Sequence, residues 1–247
     1  MKTRILSLAF LAAVAAPAFA QTVTLVGWNF DNSTTGTGGA PGVFNTTGST
    51  EIYNATSKTL TLASLGVFAS SATVNFTNLA GSLGGTSANN NWGSFQGVTP
   101  GTTTAALGAL AVIGSGNNGK YVDFTFSTQG YTSIHISYDT RGTVTGFATQ
   151  TWTESTNGVD FSSLTAISGR NVTSWSSQGF DALVLNNQAT VTLRLAVSGA
   201  TSTSGNNRID NFTVTGVAIP EPSTYAALFG AAALGFAVVR RLRRKGA

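Results

Sequence analysis

From Gln21 onward the chain is built of short stretches in which apolar and polar residues alternate, the two-residue period of a β-strand with one buried face. In Tyr121-Val122-Asp123-Phe124-Thr125-Phe126 the residues Val122, Phe124 and Phe126 share one face, as do Ile134, Ile136 and Tyr138 in the next stretch. The loop between them, Ser127-Thr128-Gln129-Gly130, has the length and the glycine of a hairpin connection. Val191, Leu193, Leu195 and Val197 repeat the pattern, and Asn211 to Thr215 closes it. Earlier strand candidates are Val23 to Phe30, Thr59 to Leu65, Ala72 to Leu79 and Gly146 to Ser155, each bounded by glycine or asparagine. No stretch of this region has a helical period. Many short strands with turn signals and no helical crossover predict an all-β fold, an antiparallel β-sandwich or jelly roll. Asn32 to Gly48 and Gly81 to Asn91 carry almost nothing large and apolar, and read as exposed decoration or mobile loops.

The two ends break this pattern. Residues 1–20 start with Lys2 and Arg4, continue as an apolar run from Ile5 to Ala16, and end in Ala18-Phe19-Ala20, with small residues at the positions a signal peptidase reads. The expectation is a cleavable signal peptide, with Ala18 and Ala20 marking the site and Gln21 the first mature residue. Residues 21–218 are then the sandwich ectodomain, and 219–247 a separate C-terminal segment. In that segment Ser223 to Val239 is uncharged and apolar, long enough for a short transmembrane helix, and five basic residues (Arg240, Arg241, Arg243, Arg244, Lys245) follow it. These should hold the C-terminus on the cytoplasmic side. Before the helix stands Pro220-Glu221-Pro222, read as an extended, accessible stretch because proline suits neither an inner strand nor a helix interior.

The order Pro-Glu-Pro, short apolar helix, arginine cluster and chain end resembles the PEP-CTERM sorting signal of exported bacterial proteins. The resemblance implies recognition by an exosortase-type membrane enzyme, removal of the helix and arginine tail, and delivery to the cell surface or an exopolysaccharide matrix or biofilm of a Gram-negative bacterium. A permanent single-pass anchor uses the same residues, but leaves the Pro-Glu-Pro element without a role. Residues from about Tyr121 to Gly216 also resemble a recurrent ectodomain of such surface proteins. The residues carrying this are the strand Tyr131 to Asp139 with Arg141, the stretch Thr151 to Phe161, Leu193-Arg194-Leu195, and Asn207 to Phe212. Families of this order look like galactose-binding-type jelly rolls, which often bind sugars and sometimes hold a structural calcium ion. Asn157 stands where such proteins often have aspartate.

Charge changes the picture once it is located. The pI of about 9.7 suggests a nucleic-acid partner, but residues 21–219 hold six basic and eight acidic side chains, a net −2. The basicity belongs to the two end segments, so nucleic acid is not expected as a partner. With no cysteine and one histidine, thiolate chemistry and sites needing two histidines are excluded.

The remaining candidates for chemistry are few. His135, Ser137 and Asp139 lie on one face of one strand and have the residue types of a nucleophilic triad. Side chains two apart on a strand stand roughly 7 Å from each other, too far for the hydrogen-bonded relay such catalysis needs. No acidic pair is singled out by spacing, so the expectation is a protein that is not an enzyme. Asp31 and Asp210, near the first and last strands, are the calcium candidates, because these ends often meet in a jelly roll; Asp210 alternatively pairs with Arg194 or Arg208. No other cofactor is expected. Of Trp28, Trp92, Trp152 and Trp175 most should be core, and Trp92, in an asparagine-rich loop, is the candidate sugar platform. Two functions fit: a structural surface or matrix protein associated with exopolysaccharide, or a displayed carbohydrate-binding module.

Overall fold

The computed structural model describes residues 21–28, 30, 43–46, 49–54, 59–61, 66–79, 97–98, 105–106, 109–170, 172–220 and 222–245. Its strands are β1 (Thr22–Trp28), β2 (Val43–Thr46), β3 (Ser49–Asn54), β4 (Thr59–Thr61), β5 (Thr73–Asn75), β6 (Gly97–Val98), β7 (Ala105–Ala106), β8 (Leu110–Ile113), β9 (Tyr121–Phe126), β10 (Tyr131–Gly142), β11 (Thr149–Ser155), β12 (Ser162–Ser168), β13 (Ser176–Asp181), β14 (Val191–Ser198) and β15 (Asn206–Ala218). One helix follows, α1 (Pro222–Lys245).

Among the described residues every strand pairing is antiparallel. One sheet runs β1-β15-β10-β13, with β8 also on β15; the other runs β12-β11-β14-β9-β5-β4-β3-β2, and β6 pairs with β7. The expected antiparallel sandwich is therefore the fold, and its first and last strands are neighbours. The alternation that predicted the strands sets the core. Val122, Phe124, Phe126, Ile134, Ile136, Tyr138, Val191, Leu193, Leu195 and Val197 are all buried. Between the sheets the aromatic rings interlock: Phe124 stacks on Phe212 with centroids 4.3 Å apart and planes at 13°, and Trp28, Tyr138 and Trp152 close around them.

Several expectations change. The loop Ser127–Gly130 joins β9 to β10, but it is no hairpin: β9 pairs with β14 and β5 in one sheet, and β10 pairs with β13 and β15 in the other. A four-residue loop can cross between sheets as easily as it turns within one, and loop length alone does not distinguish the two. The strand foreseen over Ala72–Leu79 is shorter, β5; β4 lies at the start of Thr59–Leu65, of which 62–65 are outside the described residues; and β2 lies inside the stretch Asn32–Gly48 that had read as loop.

Pro222 is helical rather than extended, as the first residue of α1, where a missing N–H costs nothing and the fixed φ already suits the helix. The helix forms where it was expected. Among the described residues, however, no helix is long and apolar enough to cross a membrane. The uncharged run from Ser223 stops at Arg240 and is rich in alanine and glycine, which contribute little to transfer into hydrocarbon.

Candidate functional site

The inner faces are filled by apolar side chains and by a buried polar chain through Tyr138, Gln150 and Thr140 whose members bond one another, so accessible chemistry is left to the two outer faces and to the C-terminal segment. On the broader sheet the outward register aligns Thr153, Arg194, Asp123 and Asn75 in one row, and Thr192, Thr125 and Thr73 in the next. Thr125 and Thr192 lie within hydrogen-bond distance through their hydroxyls, at 3.3 Å. Threonine suits this face because its branched carbon fits the pleat; Thr125 and Thr73 are partly exposed, whereas Thr192 and the Thr153 hydroxyl are buried.

Within the first row sits a compact cluster. The Arg194 guanidinium donates from Nε to Asp123 Oδ1 (2.8 Å) and from Nη2 to Asp123 Oδ2 (2.9 Å), the planar two-pronged geometry that only arginine offers a carboxylate. Rings of Tyr121 and Phe161 lie 3.6 and 3.7 Å from the guanidinium carbon. The hydrogen bond that Arg194 donates to Asp123, outweighing partial burial, raises the pKa of Arg194 and keeps it charged. Phe161 is delivered by the turn before β12, in which Asn157 Oδ1 accepts the N–H groups of Val159 and Asp160 while its Nδ2 donates to Asp160 Oδ2. The amide of Asn157 is thus spent on the turn itself. Sequence reasoning offered Arg194 only as a partner for Asp210 and missed this cluster. The outward parity of Asp123 and Arg194 was readable, but the register joining β9 to β14 was not.

The other sheet separates the candidate triad. His135, Ser137 and Asp139 do share a face of β10. His135 Nδ1 meets Asp181 Oδ1 across the sheet at 2.7 Å, while Asp139 accepts from Ser177 Oγ and from Asn211 Nδ2 (2.8 Å). Two of the three are engaged by other strands, and no relay runs along β10. Asn211 reaches Asp139 because it sits at a bulge with φ of +49°, a conformation asparagine tolerates. Asp139 is consequently buried rather than part of an open polar face.

Asp210 lies opposite Asp139 in the ladder, is fully buried, and accepts the Asn211 N–H at 2.7 Å. Its calcium partner candidate, Asp31, lies outside the described residues, as do Trp92, Ala18, Ala20 and Glu221. Among the described residues no group of three or more histidine or acidic side chains stands ready to hold a metal ion. Arg141 and Arg208 face each other in register; burial, together with the Arg141 charge, lowers the Arg208 pKa to about 10. Trp28 and Trp152 are core, whereas Trp175 is half-buried with Arg141 above its ring at 5.8 Å.

Beyond β15 the chain passes through exposed Ile219 and Pro220 into α1. Residues 218–244 match the PEP-CTERM protein-sorting motif. That match implies an exported exosortase substrate with a C-terminal membrane-anchoring sorting signal.

No curated protein shows a significant match to the sequence. Among solved structures, the chain is similar to the xylan-binding module CBM15 (14% identity, TM-score 0.35, covering 55% of this chain and 96% of that one). It is also similar to TmCBM61 in complex with β-1,4-galactotriose (10%, 0.31, 44% and 70%). A third likeness is the K3 cleaved adhesin domain of Lys-gingipain from Porphyromonas gingivalis (13%, 0.33, 48% and 76%).

Proposed function

We propose that this chain is a non-enzymatic structural protein of the cell surface or extracellular matrix, sorted by an exosortase and associated with exopolysaccharide in a biofilm. The observation that carries the reading is the junction of a sorting motif to a sandwich whose broad outer face presents rows of threonine, asparagine and one neutralised ion pair. Such a face offers many weak hydrogen bonds to a hydrated polymer and no large fixed charge. Signal peptidase and the exosortase act on the two ends; Pro220, Glu221 and Pro222 are the sorting element.

Intact mass of protein extracted from the cell surface tests the processing. The expected product begins at Gln21 and lacks Arg240 to Ala247; their retention favours a permanent anchor. Co-sedimentation with exopolysaccharide from the same cells tests the association.

A second reading, a displayed carbohydrate-binding module, is favoured by the two aromatic rings of Tyr121 and Phe161 on the outer face, with Trp92 as a further platform. Glycan-array binding with and without calcium separates the two. Tight, sugar-specific binding lost in Tyr121→Ala or Trp92→Ala supports the module, and its dependence on calcium and on Asp210 supports an ion held by Asp31 and Asp210.

A further inference from the structure

The side of the sandwich formed by β12 and β13 carries two open sheet edges. Among the described residues β12 is hydrogen-bonded only to β11, and β13 only to β10. β13 lies over β11, the neighbour of β12: Trp152 of β11 packs on Phe180 of β13 with centroids 5.7 Å apart, and Arg170 donates from Nε to the Ser168 carbonyl at the end of β12 (3.3 Å) and from Nη1 to Ser176 Oγ at the start of β13 (2.8 Å). Exported proteins must protect such edges, because a row of free N–H and C=O groups templates pairing with another chain; the usual protection is lysine, proline or an inward-pointing charge. Ser162-Ser163-Leu164-Thr165-Ala166-Ile167-Ser168 and Ser176-Ser177-Gln178-Gly179-Phe180-Asp181 contain no proline and no lysine. Their one formal charge, Asp181, is held by His135. A bulge at Leu164 twists the start of β12, but Thr165–Ser168 is regular, and all six residues of β13 keep register with β10. Ser163, Ala166 and Ser168 are exposed.

We propose that these paired edges are the interface through which a second copy of this chain continues the sheets by antiparallel β-addition. The occupant is a copy rather than a foreign peptide because the edges are self-complementary. A two-fold axis sets serine and threonine of one chain against serine and threonine of the other with no like charges opposed, whereas the strands offer no charge pattern for selecting a different partner. Both edges on one side extend the contact over two sheets, which a lone open strand would not do. The inference goes beyond the proposed matrix role and does not rest on polysaccharide binding.

Sedimentation velocity of the full-length chain in detergent, over a range of concentrations, tests it. The wild type should form a faster-sedimenting species as concentration rises, and Ser163→Lys/Ala166→Lys should lose it while keeping the wild-type far-ultraviolet spectrum. Val159→Lys/Ser204→Lys, with the same added charge at exposed positions off the edges, should associate as wild type does. A monomeric wild type overturns the proposal, as does association that persists equally in the edge variant, which would assign it to α1. Polysaccharide co-sedimentation on the same samples reads the matrix role separately: binding by a monomer would sink the edge interface and leave that role standing.

Discussion

Two polar clusters of similar make-up sit on opposite sides of the same sheet. Between the sheets, Trp152 Nε1 donates to Tyr138 Oη (3.0 Å), which donates to Gln150 Oε1 (2.8 Å); Gln150 Nε2 donates to Thr140 Oγ1 (2.9 Å), which donates to the Arg208 carbonyl (2.8 Å). Outside, Asp123 and Arg194 pair between two aromatic rings. The inner chain has no formal charge yet lies in a medium where an unmade hydrogen bond is costly. The outer one has two charges, but water can replace much of what either would lose. Energetic weight therefore follows burial rather than charge, and the outer cluster is free to serve recognition because the fold depends on it less.

The largest break in this contrast is Trp152→Ala. The side chain is fully buried, fills the aromatic cluster and starts the inner hydrogen-bond chain. Its truncation should cost about 3–5 kcal/mol, a large part of the stability of a domain this size. Trp175→Ala, at a half-buried site under Arg141, should cost far less. Denaturant unfolding of both variants checks the order, and equal losses would refute the inside-over-outside ranking.

Tyr138→Phe is the next step down. It removes one hydroxyl and leaves Gln150 Oε1 without its donor and Trp152 Nε1 without its acceptor, at a cost of about 1–3 kcal/mol near neutral pH. Burial, only partly offset by Trp152 and Arg170, pushes the Tyr138 phenol well above its usual value of about 10. The unfolded chain therefore releases this proton from about pH 10 while the folded chain retains it. This contribution is complete below pH 10 and declines as pH rises beyond it. Unfolding curves at neutral and alkaline pH should show the gap between wild type and variant narrowing as pH rises, and a constant gap would argue against the phenol.

The same contrast explains what could be read from the sequence. Period-two alternation identified the core-facing residues Val122, Phe124, Ile136 and Leu193 because burying a face of a strand requires it. It also placed His135, Ser137 and Asp139 on one face and showed why they cannot form a relay. The partners remained hidden. Asp181, Ser177 and Asn211 approach β10 from other strands, and β-pairing between distant segments has no local signature. The crossing of Ser127–Gly130 between sheets was hidden for the same reason, since both neighbouring strands show the same inward pattern in either arrangement. The sorting segment was readable because its physics is contiguous: two prolines, an uncharged run and a basic tail act without partners from elsewhere in the chain.

The smallest effect expected tests the outer cluster. Arg194→Met retains an apolar stem for Tyr121 and Phe161 but removes the charge, leaving the partly buried Asp123 carboxylate unpaired. The pair is neither fully exposed nor fully buried, with side-chain exposures of 23% and 16%, so the loss should be about 1 kcal/mol. A double-mutant cycle with Asp123→Ala should return a coupling of similar size, because the single variants each break the same two hydrogen bonds. Faster amide exchange is expected at Val159 to Phe161, where the ring of Phe161 loses its seat, with no change at the Gln150 and Trp152 amides. A destabilisation as large as that of Trp152→Ala, or faster exchange reaching β11, would mean that the outer ion pair helps hold the sandwich together and is not free to be altered in evolution toward a ligand.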